Sequence, residues 1–152
     1  MKQYKKVIFV ARSGTCREPM AVGIIRDCFL TEEIEVLARG LVVSFPEPMN
    51  QKAEAVLISN GINMGGFTSV QLSEEDITED TLILTMEAEQ RDKIISRFEN
   101  ANENQVFVLT EFVGDELEIL DPYGGTLQSY GLCYETLRKT IKKLVKILNG
   151  GE

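Results

Sequence analysis

The chain has 152 residues, 43% of them hydrophobic and 26% charged, which is enough apolar material for one domain with a sizeable core. Sixteen Lys and Arg against twenty-four Asp and Glu leave a net charge of −8, an acidic balance that argues against nucleic acid or an anionic membrane as a partner. Histidine is absent and the three cysteines (Cys16, Cys28 and Cys133) lack C-x-x-C spacing, so a His-based general base is excluded and neither a zinc site nor a disulfide framework is expected.

The first predicted element is Lys5-Lys6-Val7-Ile8-Phe9-Val10, a short β-branched run that reads as a strand buried on both faces. Small and polar residues follow at 11 to 17, and then Met20, Ala21, Ile24, Ile25, Cys28 and Phe29 recur at helical spacing, with Pro19 in a first turn. Ile34 to Ala38 predicts a second strand, and Ala53 to Ser59 a helix stopped by Asn60-Gly61. Ser73-x-x-Asp76 reads as a helix start. Thr81 to Met86 predicts a further buried strand, Glu87 to Phe98 a charged helix, and Gln105 to Leu109 another strand. Thr110 to Gly125 is rich in turn residues and reads as a long loop. Leu137, Ile141, Leu144, Val145 and Leu148 then share one stripe of a closing helix. Cys28 and Cys133 are both expected on helices and in the core.

Strands alternating with helices predict an α/β fold: a three-layer, mostly parallel twisted sheet with helices on both faces, in a single domain spanning 1–152. No apolar run approaches the roughly 18 residues of a membrane span, and no leader-like segment opens the chain, so a cytoplasmic protein is expected. The acidic clusters Glu74-Glu75-Asp76 and Glu111 to Glu118 lack the spacing of a calcium loop and read as solvated surface, and no metal or other cofactor is expected. The lysines and Arg138 on the closing helix read as its wet face.

Residues 11 to 17, Ala-Arg-Ser-Gly-Thr-Cys-Arg, lie where a parallel sheet presents ligands, between a strand's carboxyl end and a helix N-terminus. Small residues let the backbone curl, Gly14 can take a positive φ, and Arg17 carries a fork suited to phosphate oxygens. An oxyanion nest and an ordinary turn with two solvated arginines both fit these residues. Neither a Walker A sequence nor G-x-G-x-x-G is present.

The run Val7 to Ala21, with Arg17-Glu18-Pro19 at its centre, resembles the low-molecular-weight protein-tyrosine phosphatases, whose first strand enters a C-x5-R phosphate loop followed by a helix. Asp121-Pro122-Tyr123-Gly124 resembles the family's general-acid loop, and Leu82 to Met86 its third strand, so the likeness covers nearly the whole chain. The resemblance implies a fold of that type and a mechanism in which a loop thiolate attacks phosphorus, the loop N–H groups and the arginine hold the oxygens, and the aspartic acid protonates the leaving group. On this sequence the backbone of Arg12, Ser13, Gly14, Thr15, Cys16 and Arg17 would bind phosphate, Asp121 would be the acid, and Tyr123 would line the cleft. The nucleophile position is Ala11, and a methyl group cannot attack.

Two origins fit Ala11: a cysteine replaced to trap a ligand, or natural divergence. Divergence is favoured because neighbouring supports differ as well. Glu18 stands where the family has a hydroxyl, and it would repel a dianion unless turned outward. Gly14 replaces an asparagine, and a supporting serine and histidine align with Ala38 and near Phe67. Cys16 corresponds to a second loop cysteine that serves as a redox partner in relatives, although a small buried apolar residue is the plainer reading. Thr15 matches the family's protein-arginine phosphatases, which implies phosphoarginine beside phosphotyrosine as a ligand; Arg12 adds charge at the mouth.

The expected partner is a phosphorylated protein or peptide, or a small oxyanion, with no prediction of oligomeric state. The leading reading is therefore a phosphoprotein phosphatase by descent, inactive as written. A non-catalytic phosphate-binding or interaction module is the alternative. An arsenate reductase is weaker, because it needs a downstream cysteine pair and only Cys133 lies there.

Overall fold

The computed structural model describes residues 3–150. Four strands, β1 (Lys6–Ala11), β2 (Glu35–Gly40), β3 (Thr81–Thr85) and β4 (Val106–Val108), form a sheet in the order β2-β1-β3-β4, with every neighbouring pair parallel. Five helices, α1 (Arg17–Arg26), α2 (Gln51–Ser59), α3 (Ala88–Arg97), α4 (Leu109–Phe112) and α5 (Leu127–Leu148), complete the α/β architecture.

Strand β1 is central, and its side chains alternate between two apolar layers. Val7, Phe9 and Ala11 face the larger core, which they share with Met20 and Ile24 of α1, Leu57 of α2 and Leu137 and Ile141 of α5. Ile8 and Val10 face the other side, against Ile83, Val106 and Ile94 of α3. Val7 through Val10 are completely buried, which is why the run is apolar without alternation. Each such side chain contributes roughly 1.5–3 kcal/mol of burial.

Two sequence expectations need correction. Residues 105 to 109 hold a shorter strand than expected, because the chain turns at Leu109 into the four-residue helix α4, inside what reads as strand end and loop. Cys28 is not helical: the amides of Asp27 and Cys28 donate to Ile24 and Ile25 at 3.2 and 3.0 Å, a tightening that ends α1 at Arg26 and leaves Cys28 only half-buried. Cys133 lies on α5 and is buried.

The end of β1 is clamped from the side. The amide of Leu41 donates to the carbonyls of Ala11 and Arg12 at 3.0 and 2.9 Å, and that of Val42 to Arg12 at 2.9 Å. Such closeness requires Gly40, since a Cβ there would stand 2.7 Å from both the Gly14 nitrogen and the Ser13 carbonyl carbon. These are backbone atoms that cannot swing aside. Gly40→Ala is therefore expected to destabilise the fold by about 1–3 kcal/mol in urea denaturation and to shift the backbone amide resonances of residues 13 to 15. Unchanged stability and spectra would contradict the close approach.

Candidate phosphate-loop site

The loop after β1 curls because Gly14 takes φ +78. Its outer part is polar: the Ser13 and Thr15 hydroxyls lie 2.9 Å apart, and the Thr15 carbonyl accepts the Asn50 amide at 2.8 Å. Asn50 also caps α2, accepting from Lys52 and Ala53 through Oδ1, and donates to the Tyr130 hydroxyl of α5 at 3.3 Å. One side chain thus joins the loop's support to two helices, a role that its position in a Pro-rich stretch does not reveal.

Inside the curl sits a carboxylate. Glu18 is 1% exposed, and its Oε2 accepts the Gly14 amide at 2.6 Å. Burial pushes its pKa up to about 7, against the pull of the Glu18, Gly14 and Cys16 N–H groups and the Arg17 guanidinium, all of which favour the charged form. Sequence reasoning expected Glu18 to repel an anion or turn outward; it turns inward instead. The reason is local, since backbone donors converge at the helix start and give a buried carboxylate partners it would lack elsewhere.

Arg17 is 2% exposed and committed to protein partners. Its Nη1 donates to Glu87 Oε2 and to the Ile119 carbonyl, each at 2.6 Å, and its Nη2 lies 3.7 Å from Asp121 Oδ2. Residues distant in sequence are thereby drawn to one guanidinium. The segment before Asp121 is docked independently: the Ile119 amide donates to Met86 at 3.2 Å, and Glu118 accepts the Ala88 amide at 2.6 Å. Asp121 Oδ1 accepts the Tyr123 amide at 3.0 Å, leaving Oδ2 toward Arg17. Neither Glu87 nor Ile119 was singled out from the sequence. Glu87 had one usable signal, its place just past the carboxyl end of a parallel strand.

Ala11 is 1% exposed and ends β1 at the base of the loop. Arg12 and Ser13 are exposed. A cleft of about 410 Å³ opens over Arg12, Arg17, Glu87, Lys93, Arg97 and Asp121. Tyr123, expected along that cleft, is 79% exposed and instead borders a second, more apolar groove of about 660 Å³ with Leu117, Leu120, Leu132 and Cys133; Asp121 borders both. Ala38 and Phe67 stand in or against the apolar core, and the hydroxyl residue pressed against the loop is Ser69, whose Cβ would lie 3.3 Å from a Cβ on Gly14. Ser69 Oγ accepts the Glu47 amide at 2.9 Å.

The thiols are poor nucleophiles where they stand. Burial raises the Cys16 pKa well above the usual thiol range, helped by Cys133, Glu18 and Asp121, and burial pushes Cys133 up to about 11. Among the described residues no cluster of His, Cys, Asp or Glu could hold a metal ion, and no helix is long and apolar enough to cross a membrane.

A parallel strand that ends in a glycine-turned loop, a helix led by a buried arginine and an aspartate brought in from far downstream thus meet at one end of the sheet. Residues 6–151 match the model of the low molecular weight phosphotyrosine protein phosphatases, and the chain belongs to that family. It is 31% identical over 144 residues to a protein-arginine-phosphatase of Geobacillus stearothermophilus, covering 94% of this chain and 95% of the relative. It is 32% identical over 143 residues to the low molecular weight protein-tyrosine-phosphatase PtpB of Staphylococcus aureus, covering 94% and 99%. The solved structure of the Geobacillus stearothermophilus arginine phosphatase YwlE superposes with a TM-score of 0.88 at 31% identity, over 96% of this chain and 94% of that one.

Because the Glu18 pKa rises from 4.5 to about 7 on folding, ionising it opposes the folded state, and its contribution to stability is lost as pH climbs between those values. Glu18→Gln is expected to gain stability over the unsubstituted chain, by on the order of 3 kcal/mol, as pH goes from about 4 to about 8. Urea titrations across that range give the difference directly, and a flat difference would contradict a buried ionisable carboxyl.

Proposed function

We propose that this chain is a non-hydrolytic member of the family: a module that recognises a phosphorylated protein side chain in the Arg17 cleft and does not turn it over. The observation that carries the reading is the combination of Ala11 with an oxyanion, the Glu18 carboxylate, held by the loop amides. The amides are organised for anionic oxygen, yet the atom that would attack phosphorus is missing. In the family's chemistry the covalent step needs a lone pair at position 11, and the methyl of Ala11 has none.

The remaining parts suit binding. Arg17 is oriented by Glu87 and Ile119, Arg12 adds positive charge at the mouth, and Asp121 lines the same cleft. The ligand class follows from relatives that act on phosphotyrosine and phosphoarginine. Thr15, the residue that suggests the arginine branch, keeps its hydroxyl 2.9 Å from that of Ser13, and both phosphotyrosine and phosphoarginine fit the reading. The charge and the fold suit a cytoplasmic protein that works on phosphoproteins.

A second reading, phosphomonoester hydrolysis by a form carrying Cys at position 11, is favoured by the presence of both Arg17 and Asp121. The chain itself is expected to release no phosphate from p-nitrophenyl phosphate above the buffer rate, while a phosphotyrosine peptide shifts the amide resonances of residues 12 to 17. Ala11→Cys tests the second reading: hydrolysis that appears with this substitution and falls at least tenfold on adding Asp121→Asn would support it. Phosphate release by the unsubstituted chain would overturn the first.

A further inference from the structure

We infer that Glu18 is an internal ligand of the anion nest, whose carboxylate must leave the loop amides before an external tetrahedral oxyanion can enter. The inference rests on the phosphate-recognition reading above and adds to it the event that controls occupancy.

The geometry supports exchange and argues against side-by-side binding. Glu18 Oε2 is hydrogen-bonded to the Gly14 amide at 2.6 Å, in the middle of the loop, and the side chain is 1% exposed. A phosphate group reaching the same donors would bring its oxygens against a carboxylate oxygen with no water between them. Two anions cannot share that space without a proton. Arg17 does not relieve the conflict, because its Nη1 is already engaged by Glu87 and Ile119 and its Nη2 faces Asp121. The charged and titratable groups around Glu18 are Arg17 and Cys16 from its own segment and Cys133 from α5, with Glu87 and Asp121 reached through Arg17. Among these charged groups only Arg17 joins the backbone N–H donors in favouring the carboxylate, and it is shared.

Occupancy is then linked to protonation. Because α1 is buried from Arg17 to Ile25, a Glu18 side chain displaced from the amides but kept against the helix stays out of water and takes up a proton, so entry of an anion is accompanied by proton uptake wherever the side chain was ionised beforehand. With its pKa near 7, this holds above neutral pH. The loop thus binds an oxyanion readily in acid and resists it in base, opposite to an ordinary phosphate site, where the dianion prevails as pH rises.

The test uses sulfate, whose charge is constant across the range, followed by the amide resonances of Gly14, Thr15 and Cys16 from about pH 5.5 to 8.5. The unsubstituted chain is expected to lose roughly tenfold in sulfate affinity per pH unit above about 7, the slope of a single proton. Glu18→Ser is expected to bind at least tenfold tighter at pH 8 with little pH dependence. Glu18→Gln, nearly the same shape, guards against a folding defect and is expected to abolish the pH slope. If the unsubstituted chain and both variants bind sulfate equally and with the same pH profile, the internal-ligand inference fails while phosphate recognition stands. If none of the three binds sulfate or phenyl phosphate at any pH, both readings fall.

Discussion

A carboxylate with no access to water needs hydrogen-bond donors, a cation or a proton, and the loop between β1 and α1 is arranged around Glu18 in a way that supplies the first two. The Gly14 amide donates to the carboxylate at 2.6 Å, and the curl that points it inward depends on the positive φ of Gly14 and on Gly40 pressing against the loop from β2. Remove either glycine's freedom and the donors no longer converge. The helix start then loses the partner for its buried charge, at a cost comparable to any single interaction in the core.

The proposed non-hydrolytic reading turns on the same loop. With Ala11 there, the donors have no anion beneath them, and Glu18, one residue beyond the arginine, supplies one from above. Both departures from the family pattern stand in this one loop: Ala11 ends β1 at its base, and the Glu18 carboxyl accepts the Gly14 amide.

The parts of this arrangement legible in the sequence were those with a strong local cause. The fully apolar run Val7 to Val10 fixed a doubly buried central strand, the small residues after it fixed a loop, and the stripe from Leu137 to Leu148 fixed the closing helix. The direction of Glu18 was not legible, because whether a carboxylate turns in or out depends on donors that exist only once the loop has closed. Gly40, Ser69 and Asn50 were missed for a related reason: each acts through contacts with chain segments 20 or more residues away. Cys28 kept the apolar period of α1 past the point where the helix tightens and ends. The four-residue α4 is too short for any period to register.

Arg17 also has a mechanical consequence. Its guanidinium holds the Ile119 carbonyl and faces Asp121, so the irregular segment between α4 and α5 is pinned to the interior through a side chain of the first helix. Such a segment would ordinarily open by itself with little free energy. Tied in this way, and held besides by the Ile119 amide on Met86 and by Glu118 on the Ala88 amide, it can swing out only by breaking these bonds and stripping a buried cation of its partners, so amide hydrogens near residue 119 should exchange with solvent far more slowly than those of a surface loop.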